Sequence, residues 1–148
     1  MSKRYKERPG VILNKPFATL VVALDTSGSI STEELEVFVS ELKHIARNGN
    51  RIYVIQCDYE IQDVQLFRGK IDKIKGRGGT SFIPVFEYVE KRRREMMVDG
   101  IIYFTDSFGD APKTTTIPTL WVLTYGNKRP AEFGWSCELP PVEEYVTK

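Results

Sequence analysis

Blocks of hydrophobic residues alternate with polar segments along the chain, and they predict strands and helices in turn. Five blocks are short apolar runs that predict strands, at 17–24, 52–57, 100–105, 119–124 and 134–139. The run 17–24 is continuous rather than alternating, which is typical of a strand covered on both faces in a parallel sheet. The segment 61–67 is more polar, and we expect it to be an edge strand that pairs with 52–57 across a turn at 58–60.

Two longer segments carry the spacing of helices. Ser31 and Glu34 form a Ser-x-x-Glu capping box, and the apolar residues after it share one helical face: Leu35, Phe38, Val39, Leu42, Ile45 and Ala46. Asn48-Gly49-Asn50 ends this helix. A second helix begins near Pro84 and runs to about Met97. Strands that alternate with helices predict a three-layer Rossmann-like α/β fold, with a mainly parallel central sheet and helices on both faces.

Length and composition indicate one folded domain. The 148 residues suit a single core. Residues 1–16 are basic and contain two prolines and a glycine, so we expect an extended arm or linker remnant there and a domain over 17–148. Lys and Arg number 21 against 20 Asp and Glu, which gives no overall electrostatic reason for binding nucleic acid or an anionic membrane. With two cysteines and no long apolar run, we expect a reduced, cytoplasmic protein.

Several catalytic classes are excluded by single positions. The chain has one histidine, His44, in the middle of the first predicted helix, so a zinc protease of the HExxH type is excluded. A phosphatase that uses Asp25 as nucleophile would need a second Asp at position 27, where the chain has Ser27. The glycines at 76–79 lack the Gly-Lys-Ser/Thr ending of a phosphate-binding loop.

Three polar clusters lie where an open α/β sheet binds ligands, beyond the carboxyl ends of its strands. Asp25, Ser27 and Ser29 follow the first strand, Thr80 follows Gly78-Gly79, and Asp106 follows the fourth strand. Together they offer carboxylates and hydroxyls, an all-oxygen set of the kind that hard divalent cations prefer. The sequence therefore predicts a metal site at this edge.

These residues resemble the metal-ion-dependent adhesion site of von Willebrand factor A (VWA) domains. The pattern is Asp-x-Ser-x-Ser after the first strand, a Thr after Gly-Gly, and an Asp after a later apolar strand, and the likeness covers roughly residues 17–139. The chain is most similar to the bacterial VWA-like domain that follows predicted metallopeptidase domains. There the same Asp-Thr-Ser-Gly-Ser follows the strand, and the domain closes with a Phe-Gly strand like Phe133-Gly134.

The resemblance implies a role for each residue of the site. Ser27 and Ser29 are implied as direct ligands, Thr80 as a direct or water-bridged ligand, and Asp25 and Asp106 as ligands that bind through water or directly. The family commonly has Asp-Gly where this chain has Asp106 followed by serine. Mg²⁺ is the expected ion, with Mn²⁺ and Ca²⁺ as the other candidates.

The function implied is a non-catalytic, divalent-metal-dependent protein-binding module, in which a carboxylate of a partner protein completes the coordination of the ion. The resemblance implies as partners a metallopeptidase-like domain or an ATPase of the kind that accompanies bacterial VWA proteins. We expect no membrane partner.

Other interpretations stay open. The loop at 25–29 is also explained as a turn with capping hydroxyls, and Asp58, Asp63 and Asp110 are further carboxylates beside the predicted strands. Two basic groups, with Tyr5 and Tyr88 available for stacking, favour an RNA-binding VWA-like module: Lys91 to Arg94, and Lys70, Lys73, Lys75 and Arg77. Positive residues near a helix C-terminus are, however, usually solvated. A metal-dependent hydrolase is the third alternative.

Overall fold

The structure is a computed structural model that describes residues 18–146. It contains six strands and three helices, in the order β1 Thr19–Asp25, α1 Thr32–Ala46, β2 Arg51–Cys57, β3 Ile61–Leu66, α2 Ile83–Met96, β4 Gly100–Thr105, β5 Thr119–Leu123, β6 Trp135–Glu138 and α3 Val142–Val146. The arm predicted over 1–16, and Phe17 at the start of the predicted domain, lie outside the described residues.

The six strands form one sheet in the order β3-β2-β1-β4-β5-β6. All neighbouring strands are parallel except β2 and β3, which pair antiparallel as the hairpin that the polar segment 61–67 predicts. From β1 the chain proceeds to β2 on one side and later to β4 on the other. The strand order therefore reverses between β1 and β4, which is where open α/β sheets place their ligands.

Each face of the sheet is covered by a helix. On one face Leu20, Val22 and Leu24 of β1 pack in a core with the apolar side of α1. On the other face Val21 and Ala23 belong to a second core with α2. This two-sided burial explains why β1 is apolar at consecutive positions rather than at alternate ones.

The capping box that starts α1 is present in both directions. Ser31 Oγ accepts a hydrogen bond of 3.0 Å from Glu34 N, and Glu34 Oε1 accepts one of 2.9 Å from Ser31 N. The helix α2 has no side-chain cap, and its first turn contains Pro84, where the missing N–H costs no hydrogen bond. The capping box fixes where α1 begins, immediately after the loop at 26–30.

Two features differ from the sequence-based expectations. Asp25 is the last residue of β1 rather than the first residue of the loop. The short helix α3 was not predicted, because five residues after two prolines carry too little periodicity to indicate a helix. Within the described range, none of the helices combines the length and the apolar character needed to span a membrane.

Candidate metal centre

Asp25 ends β1 with its carboxylate held on both oxygens. Oδ1 accepts a hydrogen bond of 2.9 Å from the backbone N of Ser27. Oδ2 accepts one of 2.6 Å from Oγ1 of Thr105, the last residue of the neighbouring strand β4. The side chain is completely buried. The carboxylate is therefore fixed in one orientation before any ligand binds.

The two serines of the loop lie beside each other. Ser27 Oγ and Ser29 Oγ are 3.2 Å apart; Ser27 is buried and Ser29 is exposed to solvent. Two oxygens that occupy adjacent positions of an octahedron, each about 2.1 Å from Mg²⁺, are about 3.0 Å from each other. The spacing of the hydroxyls thus fits neighbouring ligands of one small cation.

Burial disfavours the negatively charged form of the Asp25 side chain. Burial raises the pKa of Asp25 above its ordinary value, and the nearby carboxylate of Asp106 adds to the rise, whereas the hydrogen bonds from Ser27 and Thr105 oppose it. Asp106 follows β4 directly and is also buried. Two buried carboxylates at the point where the strand order reverses favour the binding of a cation between them.

Thr80 approaches the site through the packing of two loops. A Cβ atom built on Gly109 would lie 2.7 Å from Thr80 Cγ2, so the loop after Asp106 touches Thr80 more closely than a side chain would permit. The two loops also share a backbone hydrogen bond of 2.8 Å, from Phe82 N to Asp110 O. Thr80 is thus placed beside the loop that carries Asp106.

The glycine-rich loop before Thr80 is bound to the serine loop. Gly28 N donates to Gly78 O at 2.8 Å, and Arg77 N donates to Thr26 O at 2.7 Å. The guanidinium of Arg77 folds back over the same loop and donates to the carbonyl oxygens of Ser27 and Ile30. Arg77 therefore holds the serine loop in place through these hydrogen bonds, whereas the sequence analysis assigned it to a basic patch.

Asp58, which follows β2, binds the glycine-rich loop through its carboxylate. Its Oδ2 accepts a hydrogen bond of 2.9 Å from Gly78 N, and its Oδ1 accepts hydrogen bonds from Gln62 Nε2 and Glu60 N. Burial acts to raise the pKa of Asp58, but these hydrogen bonds outweigh it and the pKa is lowered. The carboxylate thus has structural partners on both oxygens. Two other carboxylates were named from the sequence. Asp63 binds Lys75 at 3.0 Å, and Asp110 is exposed to solvent.

Ser107 has a backbone φ of 70°. This left-handed conformation is one that glycine adopts without strain, which agrees with the Asp-Gly pattern that the resemblance to VWA domains implies at this position. Ser107 N donates to Thr105 Oγ1 at 2.9 Å, so the same hydroxyl that holds Asp25 also anchors the loop of Asp106. The serine keeps the turn that the glycine would make.

Sequence reasoning thus selected side chains that the structure places at one edge of the sheet, but it missed Thr105 and Arg77. The only available signal for Thr105 was a polar residue at the end of an apolar strand. Among residues 18–146, no three His, Cys, Asp or Glu side chains are grouped so that they could hold a metal ion. A cation at this edge would therefore depend on serine and threonine hydroxyls as well as on carboxylates.

The sequence matches the family model of the VWA-like domain (DUF2201) over residues 20–139. The chain belongs to this family. The matched range runs from the second residue of β1 to the residue after β6, and so includes every loop of the candidate site.

Two relatives extend the comparison. An uncharacterized protein of Thermotoga maritima is 32% identical over 115 residues, which are 75% of this chain and 28% of that protein. The crystal structure of the ArnB paralog VWA2 from Sulfolobus acidocaldarius superposes with a TM-score of 0.62 at 16% identity, covering 89% of this chain and 44% of that chain. The likeness to VWA2 shows a shared fold. In both comparisons this chain spans less than half the length of the relative.

Proposed function

We propose that this VWA-like domain is a non-catalytic protein-binding module that depends on a divalent cation. Asp25, Ser27, Ser29, Thr80 and Asp106 would hold the ion, and a carboxylate of a partner protein would complete its coordination. The observation that carries the proposal is the pair of serine hydroxyls, 3.2 Å apart, in the loop that directly follows a buried carboxylate held on both oxygens.

The donor set suits Mg²⁺ first, with Mn²⁺ and Ca²⁺ as the alternatives. Hydroxyl oxygens are neutral, so a bound ion would keep positive charge and would attract an external carboxylate. The protein's own contribution is orientation. The hydrogen bonds from Thr105 and from Ser27 N fix Asp25, and Arg77 fixes the carbonyl groups of the serine loop.

Two features favour binding over catalysis. The histidine of the chain, His44, is exposed in the last turn of α1 rather than in the middle of the helix, more than three turns from the loop that precedes it, and so is poorly placed to act as a base there. The thiol of Cys57 is buried, and its burial raises its pKa to about 12, which keeps it protonated at neutral pH. A metal-dependent hydrolase would need another base beside the ion.

The basic groups support a protein partner better than RNA. Lys75 binds Asp63, Lys70 lies 3.4 Å from Asp72, and the guanidinium of Arg77 binds backbone carbonyls. In the run at 91–94 two arginines also have internal contacts: Arg92 lies 3.9 Å from the centre of the Tyr88 ring, and Arg93 donates to Thr116 O. Five of the eight basic side chains in these two groups thus have a partner within the domain.

The partner and setting follow from the same chemistry. We propose a partner that presents an Asp or Glu side chain, and a cytoplasmic setting in which Mg²⁺ is the available ion. A metallopeptidase-like domain or an associated ATPase, the partners that the family resemblance implies, would each provide such a side chain. Either one would be tested as a purified protein, with and without the cation.

The experiment measures linkage between the cation and a carboxylate. A fluorescent heptapeptide with one Asp among glycines is titrated against the domain in Mg²⁺ and in a chelator, with an Asn peptide as the matched control. Mg²⁺ should tighten binding of the Asp peptide, and the Asp peptide should tighten binding of Mg²⁺ by the same factor. Equal binding of both peptides in Mg²⁺ would contradict the proposal.

A further inference from the structure

The described residues expose four large hydrophobic side chains: Tyr59, Met97, Phe108 and Tyr125, with 56%, 74%, 65% and 64% of their surface accessible. Three of them share one edge of the sheet. Tyr59 follows the end of β2, Phe108 follows the end of β4, and Tyr125 follows the end of β5. We call these three residues the aromatic collar. Single exposed apolar residues are ordinary, but three around one site are not explained by the fold.

Two of the collar residues are in contact with the loops of the candidate metal centre. The ring of Tyr59 lies against Gly78, at whose position a Cβ atom would be 3.2 Å from the ring carbons Cδ1 and Cε1. Phe108 N donates to Asp106 Oδ1 at 3.4 Å. The collar therefore borders the glycine-rich loop on one side of β1 and the Asp106 loop on the other.

Tyr125 extends the surface toward α1. Its neighbour Thr124 donates a backbone hydrogen bond of 3.1 Å to Thr105 O, in the residue that holds Asp25. Tyr125 also lines a cavity of about 210 Å³, together with Phe38 and Leu139. Pockets for small-molecule ligands are commonly about 300–1,000 Å³. A cavity below that size fits one apolar side chain of a bound protein.

We infer that the aromatic collar and its cavity recognise a protein segment in which an Asp or Glu is flanked by apolar side chains. This inference rests on the proposed function, because the carboxylate would bind at the cation while its neighbours contact the collar. The charge at the site favours this occupant. Without a cation, the buried carboxylates Asp25 and Asp106 repel a peptide carboxylate, and with one, they attract it through the ion.

A nucleic acid fits the collar less well, although aromatic side chains also stack on bases. The carboxylates at the centre of the collar repel phosphates as well, and the basic run at 91–94 lies near the C-terminal end of α2. That end leads into β4, whose first residue Gly100 pairs with Leu20 near the start of β1. The positive charges of this run are thus at the opposite edge of the sheet from the collar.

The test compares two labelled peptides: Gly-Gly-Leu-Asp-Leu-Gly-Gly, and a matched peptide with serines in place of the leucines. Binding is measured by fluorescence anisotropy in Mg²⁺ and in a chelator. The variants are Tyr59→Ser, Phe108→Ser and Tyr125→Ser. Met97→Ser is the control, because Met97 is the fourth exposed apolar side chain and lies at the opposite edge, where α2 ends. Mg²⁺ binding by every variant is measured in parallel by calorimetry.

In Mg²⁺, the leucine peptide should bind about tenfold more tightly than the serine peptide, because its side chains bury apolar surface on the collar. Each collar substitution should reduce that preference about three- to tenfold, whereas Met97→Ser should leave it unchanged.

Three results would overturn the inference. Intact Mg²⁺ binding with no preference for the leucine peptide would overturn the collar's role alone and leave the proposed function standing. Absence of Mg²⁺ binding would overturn both. Binding of a single-stranded RNA oligonucleotide that is independent of Mg²⁺ and lost in the collar variants would assign the collar to nucleic acid instead.

Discussion

The hydroxyl of Thr105 donates a hydrogen bond of 2.6 Å to Oδ2 of Asp25, a residue 80 positions earlier in the chain. The bond joins the ends of β4 and β1, the two strands between which the strand order reverses. The same hydroxyl oxygen accepts a hydrogen bond from Ser107 N. One buried threonine therefore orients the first carboxylate of the site and anchors the loop that carries the second.

Replacement of Thr105 by valine tests this relationship. The Thr105→Val variant keeps the shape of the side chain but loses both hydrogen bonds, so Asp25 is no longer held. We expect Mg²⁺ affinity to fall about tenfold or more, as is usual when the partner of a metal-binding carboxylate is removed. The free energy of unfolding should fall by about 1–2 kcal/mol. Calorimetry and thermal unfolding measure the two effects.

The matched control is Thr119→Val. Thr119 is buried at the start of β5, and its hydroxyl donates to Ile117 O at 2.9 Å, away from the site. This variant should lose stability of a similar size, about 1 kcal/mol, without loss of Mg²⁺ affinity. If both variants bound Mg²⁺ as the wild type does, the role assigned to Thr105 would be wrong.

The buried charge of Asp25 predicts a stability that depends on pH. The pKa of Asp25 in the folded protein is raised above the ordinary value of 3.8, so the ionised form opposes folding. Stability of the cation-free wild type should fall as the pH rises from the unfolded-state value through the folded-state value. The Asp25→Asn variant does not ionise there and should be more stable than the wild type near pH 7, without cation.

Thermal unfolding in a chelator at several pH values checks this prediction. The advantage of Asp25→Asn should shrink as the pH falls and should disappear once the pH is well below the ordinary value of 3.8, where the wild-type carboxyl is protonated in both states. Excess Mg²⁺ at neutral pH should stabilise the wild type and not the variant. A variant that is less stable than the cation-free wild type at neutral pH would indicate that the ionised carboxylate stabilises the fold by itself.

Substitutions of the serines in and after the serine loop distinguish a role in cation binding from a role in capping α1. In the double variant Ser27→Ala and Ser29→Ala the two hydroxyls that contact each other are removed together, so neither is left without its partner and the domain should stay folded. Cation binding should be abolished. Ser31→Ala should do the reverse: it removes the cap of α1 and costs about 1 kcal/mol, while Mg²⁺ binding is kept. Unfolding of the double variant would instead assign the loop a capping role.

The side chain of Arg77 forms hydrogen bonds with the serine loop, but its backbone has a positive φ that is unfavourable for arginine. Its φ is 80°, a conformation that glycine adopts freely, while its guanidinium holds Ser27 O and Ile30 O. Arg77→Ala and Arg77→Gly both remove these hydrogen bonds, so amide exchange at Gly28 and Ile30 should accelerate in both. Arg77→Gly should be the more stable of the two by about 1 kcal/mol, because it relieves the backbone. Equal stabilities would contradict this account.

The fold was predictable because its signals are local. The continuous apolar run of β1 indicated burial on both faces, and the Ser31–Glu34 box located the start of α1. The meeting of Asp25 and Asp106 at one edge followed from a general property of parallel sheets, whose strands all end at the same side. None of these inferences needed a contact between side chains.

The remaining features depend on long-range contacts. The hydrogen bond between Thr105 and Asp25 depends on which strands are neighbours, and the sequence did not specify that order. Arg77 was assigned to a basic patch because a sequence does not show that its side chain folds back onto Ser27. The collar was missed because exposure of an aromatic residue in a loop is a property of the packed domain.

The central claim is that this edge of the sheet binds a divalent cation, and a calorimetric titration of Mg²⁺ into chelator-treated protein tests it most directly. Wild type and Asp25→Asn are compared at the same pH, after both are shown to be folded by circular dichroism. The account predicts saturable binding at one site in the wild type and its loss in the variant. Identical heats in the two proteins, with or without binding, would contradict the account.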